Sequence, residues 1–448
     1  MAKIPAAGRP GRRSLEAALL VVSITALAFN LRAAITSLPP VFPELEARLG
    51  LSSATVTILA ATPVLCFGAV SGLAAWLSRR LGEERVLFGA LILLSAGLLL
   101  RGALPSSMLF PGTIVACGAI AVMNVLLSSM IKRRAPARAG LLLGMYLTAL
   151  SAGAVIASLV SVPLYNATGG SVHVTLGLWS LPAAAAALIW ISQLRYRRAT
   201  RAAGPAGPAV PPVRPRASVH RHPLAWQVTA FMGLQSLLYY AAVSWLPELF
   251  RDRGETAAAA GTLLAVMGLG NLLTSLSVPV LAQRVTDQRV LVVPAVGVTA
   301  GGLAGTLWAP LGSAAAWMLV LGAAQGAALG LAIYFTMARA RDPATAASLS
   351  SLAQSVGYLV AAAGPLAVGF LRAATGGWTA PITVLLLICG VEMAVGLFAG
   401  RPKMLPAAGL AASSSGHPEA DSTPADNYSK LLNCASFHGV SAWMREGG

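Results

Sequence analysis

Arg32 is the residue of this sequence whose chemistry most needs explaining. It lies inside an apolar run from Ala17 to Pro40 in which Asn30 is the other strongly polar residue. A guanidinium stays protonated in a protein, and holding it at membrane depth costs at least about 2.5 kcal/mol on insertion scales. A charge kept at that cost normally faces a water-filled cavity or a bundle interior, where its planar fork of N–H donors can grip a carboxylate or another flat anion. The remaining candidates are neutral: Asn124, Tyr146, Gln235, Tyr239, Gln325, Gln354 and Tyr358, each set in an apolar stretch. Gln235 and Tyr239 are four residues apart, as are Gln354 and Tyr358, so each pair shares one helical face. Together they would offer hydrogen bonds and a ring wall to a small planar molecule. Asn30, two residues from Arg32, is off that face and suits an interhelical hydrogen bond as well as a cavity rim. Arg32 keeps two roles open, as a ligand residue or as a structural arginine near a helix end, since Pro39 follows only seven residues later.

The acidic residues point the same way. Glu16, Glu44 and Glu248 fall at helix ends and Glu392 in the last apolar segment, so no carboxylate lies within the interior of the segments that carry the candidates. His173 is the one histidine near an apolar segment, at its start. Without a nucleophile–base pair or metal-ligand spacing at membrane depth, the expectation is no enzyme, no metal and no cofactor. Cys66, Cys117 and Cys389 sit in apolar helices and Cys434 in the tail, which is not a disulfide framework. Proton coupling, anion exchange and facilitated diffusion all remain open.

The elements that must position these residues follow from composition. The chain is 56% hydrophobic and 10% charged, with a mean hydropathy of +0.73; soluble domains carry about 25% charged residues. Apolar blocks of about 20 residues suffice to cross roughly 30 Å of hydrocarbon. Helices are predicted over 15–38, 52–77, 86–104, 108–131, 139–163, 173–194, 224–247, 256–281, 289–308, 313–336, 345–370 and 378–399. This is an all-α membrane protein of twelve spans, with membrane lipid as its solvent. A basic arm (1–14) precedes a first bundle (15–194). A Pro/Gly-rich linker (195–223) leads to a second bundle (224–403), and a Ser/Ala/Gly-rich tail (404–448) reads as disordered. The first apolar block lacks a small-residue cleavage site and reads as a retained helix.

A net charge of +17 could suggest nucleic acid, but the basic residues cluster in short connections between spans. Counted by alternate connection, 24 of the 32 fall on one side and 5 on the other, which predicts both termini in the cytoplasm and excludes a nucleic-acid face.

The halves repeat. Leu77–Leu87 aligns with Leu281–Leu291 at an offset of 204, and so does Pro43-Glu44-Leu45 with Pro247-Glu248-Leu249, Gly50 falling on Gly254. Ala135-Pro136-Ala137 and Asp342-Pro343-Ala344, and Ala167–Gly170 and Ala374–Gly377, align at 207. Repeats with an even number of helices are parallel, related by an axis along the membrane normal. Two like halves around a cleft are the mechanics of alternating access.

The 6+6 arrangement resembles the major facilitator superfamily. Within it, four stretches resemble the cyanate/2-nitroimidazole transporter family. They are Asn30-Leu31-Arg32 with Thr36, Ser37, Pro39 and Pro40; Asn124 with Lys132, Arg133 and Pro136; Trp226 with Gly233, Gln235 and Trp245-Leu246-Pro247; and Ala353-Gln354 with Gly357-Tyr358. The resemblance implies a monomeric plasma-membrane carrier of a small anionic or planar solute. Its substrate would bind between the spans 15–38, 108–131, 224–247 and 313–336. It also implies conformational-switch loops at Arg79, Arg80, Gly82 and Arg85 and at Arg284 and Arg289. Arg79 stands where the superfamily has an aspartate; Glu83 and Glu84 are either its substitutes or solvated charges. A multidrug-type exporter of neutral or cationic compounds is the alternative.

Overall fold

Hydrophobic blocks that cannot satisfy backbone groups with lipid must do so internally, and the chain answers with helices throughout. The computed structural model describes residues 10–103, 105–134, 139–202 and 219–406. Fifteen α-helices occupy those residues: α1 (Pro10–Thr36), α2 (Phe42–Leu49), α3 (Ser53–Leu81), α4 (Glu83–Arg101), α5 (Leu109–Arg134), α6 (Ala139–Ala167), α7 (Val172–Leu178), α8 (Ser180–Ala202), α9 (Pro223–Asp252), α10 (Ala257–Gln283), α11 (Arg289–Trp308), α12 (Ala314–Ala338), α13 (Pro343–Ala361), α14 (Ala363–Thr375) and α15 (Thr379–Ala399). Among the described residues ten helical stretches are long and apolar enough to cross a membrane. α4 and α9 are not among them, and α9 is where Trp226, Gln235, Tyr239, Tyr240 and Trp245 dilute the apolar sequence.

Where the helices depart from the predicted spans, the reasons are local. α1 begins at Pro10, a residue suited to the first helical position because its missing N–H would be unpaired there anyway. α8 runs on to Ala202, since no glycine or proline interrupts the chain before Gly204. The segments predicted at 173–194 and 345–370 are each broken, at Trp179 and Ala362. Each break lies three residues before a proline, Pro182 and Pro365, whose absent N–H leaves the carbonyl four residues back without its helical donor. Leu405, assigned from sequence to the tail, is buried, and its N–H donates to the Arg339 carbonyl (2.7 Å). The proposed linker and tail otherwise lie mostly outside the described residues, as do the start of the basic arm and Cys434.

The sequence repeat reappears as local geometry. Gly50 and Gly254 both take positive φ (63° and 104°), the left-handed turn that glycine makes without Cβ strain. Two residues on, Ser52 caps α3 through Thr55 N–H and Thr256 caps α10 through Ala259 N–H. Gly169 and Gly376 close α6 and α14 with φ of 67° and 66°. Pro39-Pro40 ends α1 and starts a short separate α2, whereas their counterparts Val243 and Ser244 let α9 continue unbroken to Asp252.

Small residues set the packing, as expected where lipid supplies no hydrophobic drive between helices. A Cβ at Gly153 would collide with the Phe29 carbonyl, fixing α6 on α1, and Gly322 and Gly326 bring α12 onto the backbone of α10 at Met267 and Asn271. Helices before residue 203 meet those after 218 along two seams. In one, α6 and α10 cross where a Cβ at Gly261 would lie 2.6 Å from Ser158 O; in the other, α3 packs on α13 and α14 at Gly68/Leu359 and Thr57/Gly369.

Candidate functional site

α1, α9 and α13 carry the predicted polar residues to one place. Arg32, partly buried on α1, donates from Nη1 to the Tyr239 hydroxyl at 2.7 Å. Its guanidinium also lies over two rings, 4.9 Å from the Tyr239 centroid and 5.7 Å from that of Tyr240. The two rings meet edge-on at 5.3 Å. Phe67 of α3 then bridges to Tyr240 (6.4 Å) and to Tyr358 of α13 (5.5 Å). Tyr146 of α6 and Tyr358 are both within electrostatic range of the guanidinium. Tyr146 donates from its hydroxyl to Asn124 Oδ1 (3.1 Å), joining α6 to α5. The result is one cation walled by rings and phenol hydroxyls drawn from both sides of the chain. No carboxylate is paired with it among the described residues.

Other predicted residues make no hydrogen bond to Arg32 among the described residues. Asn30 spends both amide hydrogens on carbonyls, Ala26 O (2.8 Å) and Pro182 O (3.2 Å), stitching α1 to the break in α8. Trp245 likewise ties α9 to α14, from Nε1 to Pro365 O (2.9 Å). Gln235 is buried and donates to Met232 O and Ser236 Oγ within its own helix. Gln354 donates to Ser350 Oγ one turn away (3.0 Å). Gln325 is 1% exposed with neither amide atom partnered, and Asn271 Nδ2 of the neighbouring α10 is also unpartnered. Of the switch-loop residues, Gly82 joins α3 to α4 at φ 83°, Arg80 stacks on Trp76 (4.6 Å), Arg85 and Arg284 are exposed, and Arg289 holds Asp287 (3.7 Å). The Arg79 side chain lies outside the described residues.

Two arginines counted from sequence as loop charges prove to be buried ties. Arg101, 2% exposed at the end of α4, donates from Nη1 to Ala34 O (2.9 Å) and from Nη2 to Ser37 Oγ (3.4 Å), clamping the end of α1. Arg339 reaches Ala399 O (3.0 Å) and Gln288 Oε1. In the second repeat Arg253 does the work of Arg101 from the opposite partner, bonding the end of α11 at Thr306 O and Ala309 O. A sequence gives the charge at a helix end but not the carbonyl that receives it.

Beyond Tyr240, towards the end that carries Glu44, the helices close. A crevice of only about 10 Å³ remains there, among Ile35, Phe42, Leu59, Tyr240 and Val243. Phe42 and Trp245 rings stand 6.1 Å apart, and Arg251 bridges to Glu44 at 2.9 Å.

Residues 20–365 match the Major Facilitator Superfamily. The chain belongs to that superfamily. It is 35% identical over 385 residues to the 2-nitroimidazole transporter of Escherichia coli (strain K12), covering 86% of this chain and 96% of that protein. It is 28% identical over 360 residues to the cyanate transport protein CynX of the same organism (80% and 91%). An uncharacterized transporter of Bacillus subtilis (strain 168), YycB, is 38% identical over 397 residues (88% and 97%). Among solved structures, a bacterial homolog of the human lysosomal transporter Spinster shares the fold, with a TM-score of 0.64 at 18% identity, covering 88% of this chain and 95% of that one. The superfamily member described here is thus a polytopic all-α transport protein and not an enzyme.

Proposed function

We propose that this chain is a plasma-membrane secondary carrier of a small planar organic anion, with Arg32 as the anion-binding residue. The observation that carries the reading is a guanidinium with no paired carboxylate among the described residues, held at 2.7 Å by a phenol hydroxyl and stacked on two rings. A site of this kind lacks one negative charge, and a flat anion supplies it through paired N–H donors while its face lies against Tyr239, Tyr240 or Tyr358. The solutes for which two of the relatives are named, cyanate and 2-nitroimidazole, are small and planar, in keeping with this site. Twelve spans in a 6+6 repeat accommodate the geometry if α4 and α9 cross the membrane, the less apolar α9 being shielded because Gln235, Tyr240 and Trp245 are buried. The 15–194 and 224–403 bundles would rock about the site. The basic-residue bias places the termini in the cytoplasm and the closed Glu44–Arg251 end outside.

The ring cluster also suits an exporter of neutral aromatic compounds, but a fixed cation at its centre disfavours cationic ones. A thermal-shift screen of the purified carrier against small anions, aromatic carboxylates, nitroheterocycles and neutral or cationic aromatics decides between them. Stabilisation by anions that is lost in Arg32→Ala supports the proposal; stabilisation by cations, or anion binding unchanged in Arg32→Ala, refutes it.

A further inference from the structure

The closed end of the bundle carries charges placed unevenly about the repeat. Glu44 and Glu248 are equivalent positions, 204 residues apart. Glu44 has an arginine: Arg251 lies 2.9 Å from both of its carboxylate oxygens. The position equivalent to Arg251 in the first repeat is Ala47, so no matching pair forms for Glu248. Its neighbours are Glu46, from α2 across the seam, and Asp252, one turn along α9, both of like charge. The nearby cations are already engaged, Arg251 by Glu44 and Arg372 of α14 by Asp252 (2.7 Å), which also accepts from Trp378 Nε1 (2.8 Å). Arg253 is spent on the α11 carbonyls and Arg101 on Ala34 O and Ser37 Oγ, and Arg48, His173 and Glu255 also lie at this end. The other helices packed on α9 add none here: α10, α12 and α13 contain no charged residue, and Glu392 of α15 lies towards the opposite end.

Glu248 lies just beyond the 224–247 span. Burial, with Glu46 and Asp252 adding repulsion, lifts its carboxyl from the ordinary 4.5 to about 7. We propose that Glu248 is a proton-binding site at the seam between the two halves, and that a proton held there favours closure of this end. The proposal rests on the rocking motion of the carrier reading above. Separating the halves hydrates Glu248 and removes Glu46, so the carboxyl returns towards its ordinary acidity. Between about pH 4.5 and 7 the closed arrangement therefore keeps a proton that the open one releases. The closed-to-open ratio falls by up to about tenfold per pH unit as pH rises through that window, and the dependence ends above about 7.

The test places spin labels at Ala47 and Ala258, both exposed, in full-length protein with its cysteines replaced, and measures the distance distribution from pH 4.5 to 8.5. The wild-type background should lose its short-distance population as pH approaches 7. Glu248→Gln, a mimic of the protonated acid, should hold that population at every pH, and Glu46→Gln should move the midpoint down. An unchanged titration in Glu248→Gln, or a distribution insensitive to pH in the wild-type background, overturns the proposal. Anion binding that persists in the same sample would show that the carrier reading survives that failure.

Discussion

Replacing Arg32 by glutamine separates a binding arginine from a structural one, because the two roles predict opposite balances of stability and affinity. In the ligand-free protein the substitution removes one hydrogen bond from a charged donor, 2.7 Å to Tyr239, worth about 1.5–3 kcal/mol. It also removes ring contacts at 4.9 and 5.7 Å, worth about 0.5–2 kcal/mol. Against these stands the relief of a charge that no carboxylate among the described residues neutralises at membrane depth, at least about 2.5 kcal/mol. The terms offset to within about 2 kcal/mol, so the apparent melting temperature should barely move. Binding has no such compensation. An anion deprived of its charged hydrogen-bond partner loses about 2–5 kcal/mol, or roughly 30- to 5,000-fold in affinity. Titration calorimetry at fixed ionic strength, alongside thermal unfolding in the same detergent, reads both quantities. Affinity within threefold of wild type would refute the assignment. So would a loss of stability of about 3–5 kcal/mol without ligand, the signature of a broken structural tie.

Arg101→Met should do the reverse, costing about 2–4 kcal/mol in thermal unfolding because it frees Ala34 O and Ser37 Oγ at the end of α1, while anion affinity in the surviving folded fraction changes little. Gly322→Leu forces a side chain into the Met267 backbone at the α10–α12 contact, and size-exclusion and unfolding assays should show a loss of several kcal/mol or no folded protein. Glu392 is 1% exposed and its Oε1 has no partner, so Glu392→Gln removes no hydrogen bond at that oxygen and should leave stability within about 1 kcal/mol of wild type; a larger loss would mean that the carboxylate is ionised and paired.

Much of the helical layout was legible because its causes are local. Apolar length, caps and breakers lie within a few residues of the elements that they define, and the glycine turns at Gly50/Gly254 and Gly169/Gly376 follow directly from the repeated sequence. The splits at Trp179 and Ala362 were equally local and could have been read from Pro182 and Pro365. The site was legible in part. Arg32, Tyr239, Tyr358, Tyr146 and Asn124 stand out as polar groups in apolar sequence, and the structure clusters them. Asn30, Gln235 and Gln354 stand out for the same reason, yet their bonds run to nearby backbone or to their own helix. Polarity in an apolar segment shows that a partner is needed without saying which one. Phe67 gave no signal, since a ring in a membrane helix is ordinary, and Tyr240 beside Tyr239 is explained as well by core packing.

By itself the sequence determined a chain of membrane-length helices, its duplication, and one buried cation that the central segments supply no acid to neutralise. Those properties depend on residue type and on spacing along the chain, which hydrogen bonding within a helix turns directly into geometry. Tertiary structure alone decided that Tyr239, 207 residues from Arg32, would hold its guanidinium, and that Glu44 would take Arg251 while Glu248 went without. It also turned Arg101 from a loop charge into a clamp on α1. Such pairings arise where glycine-lined seams bring helix backbones together, and distances across those seams are set by packing among remote segments.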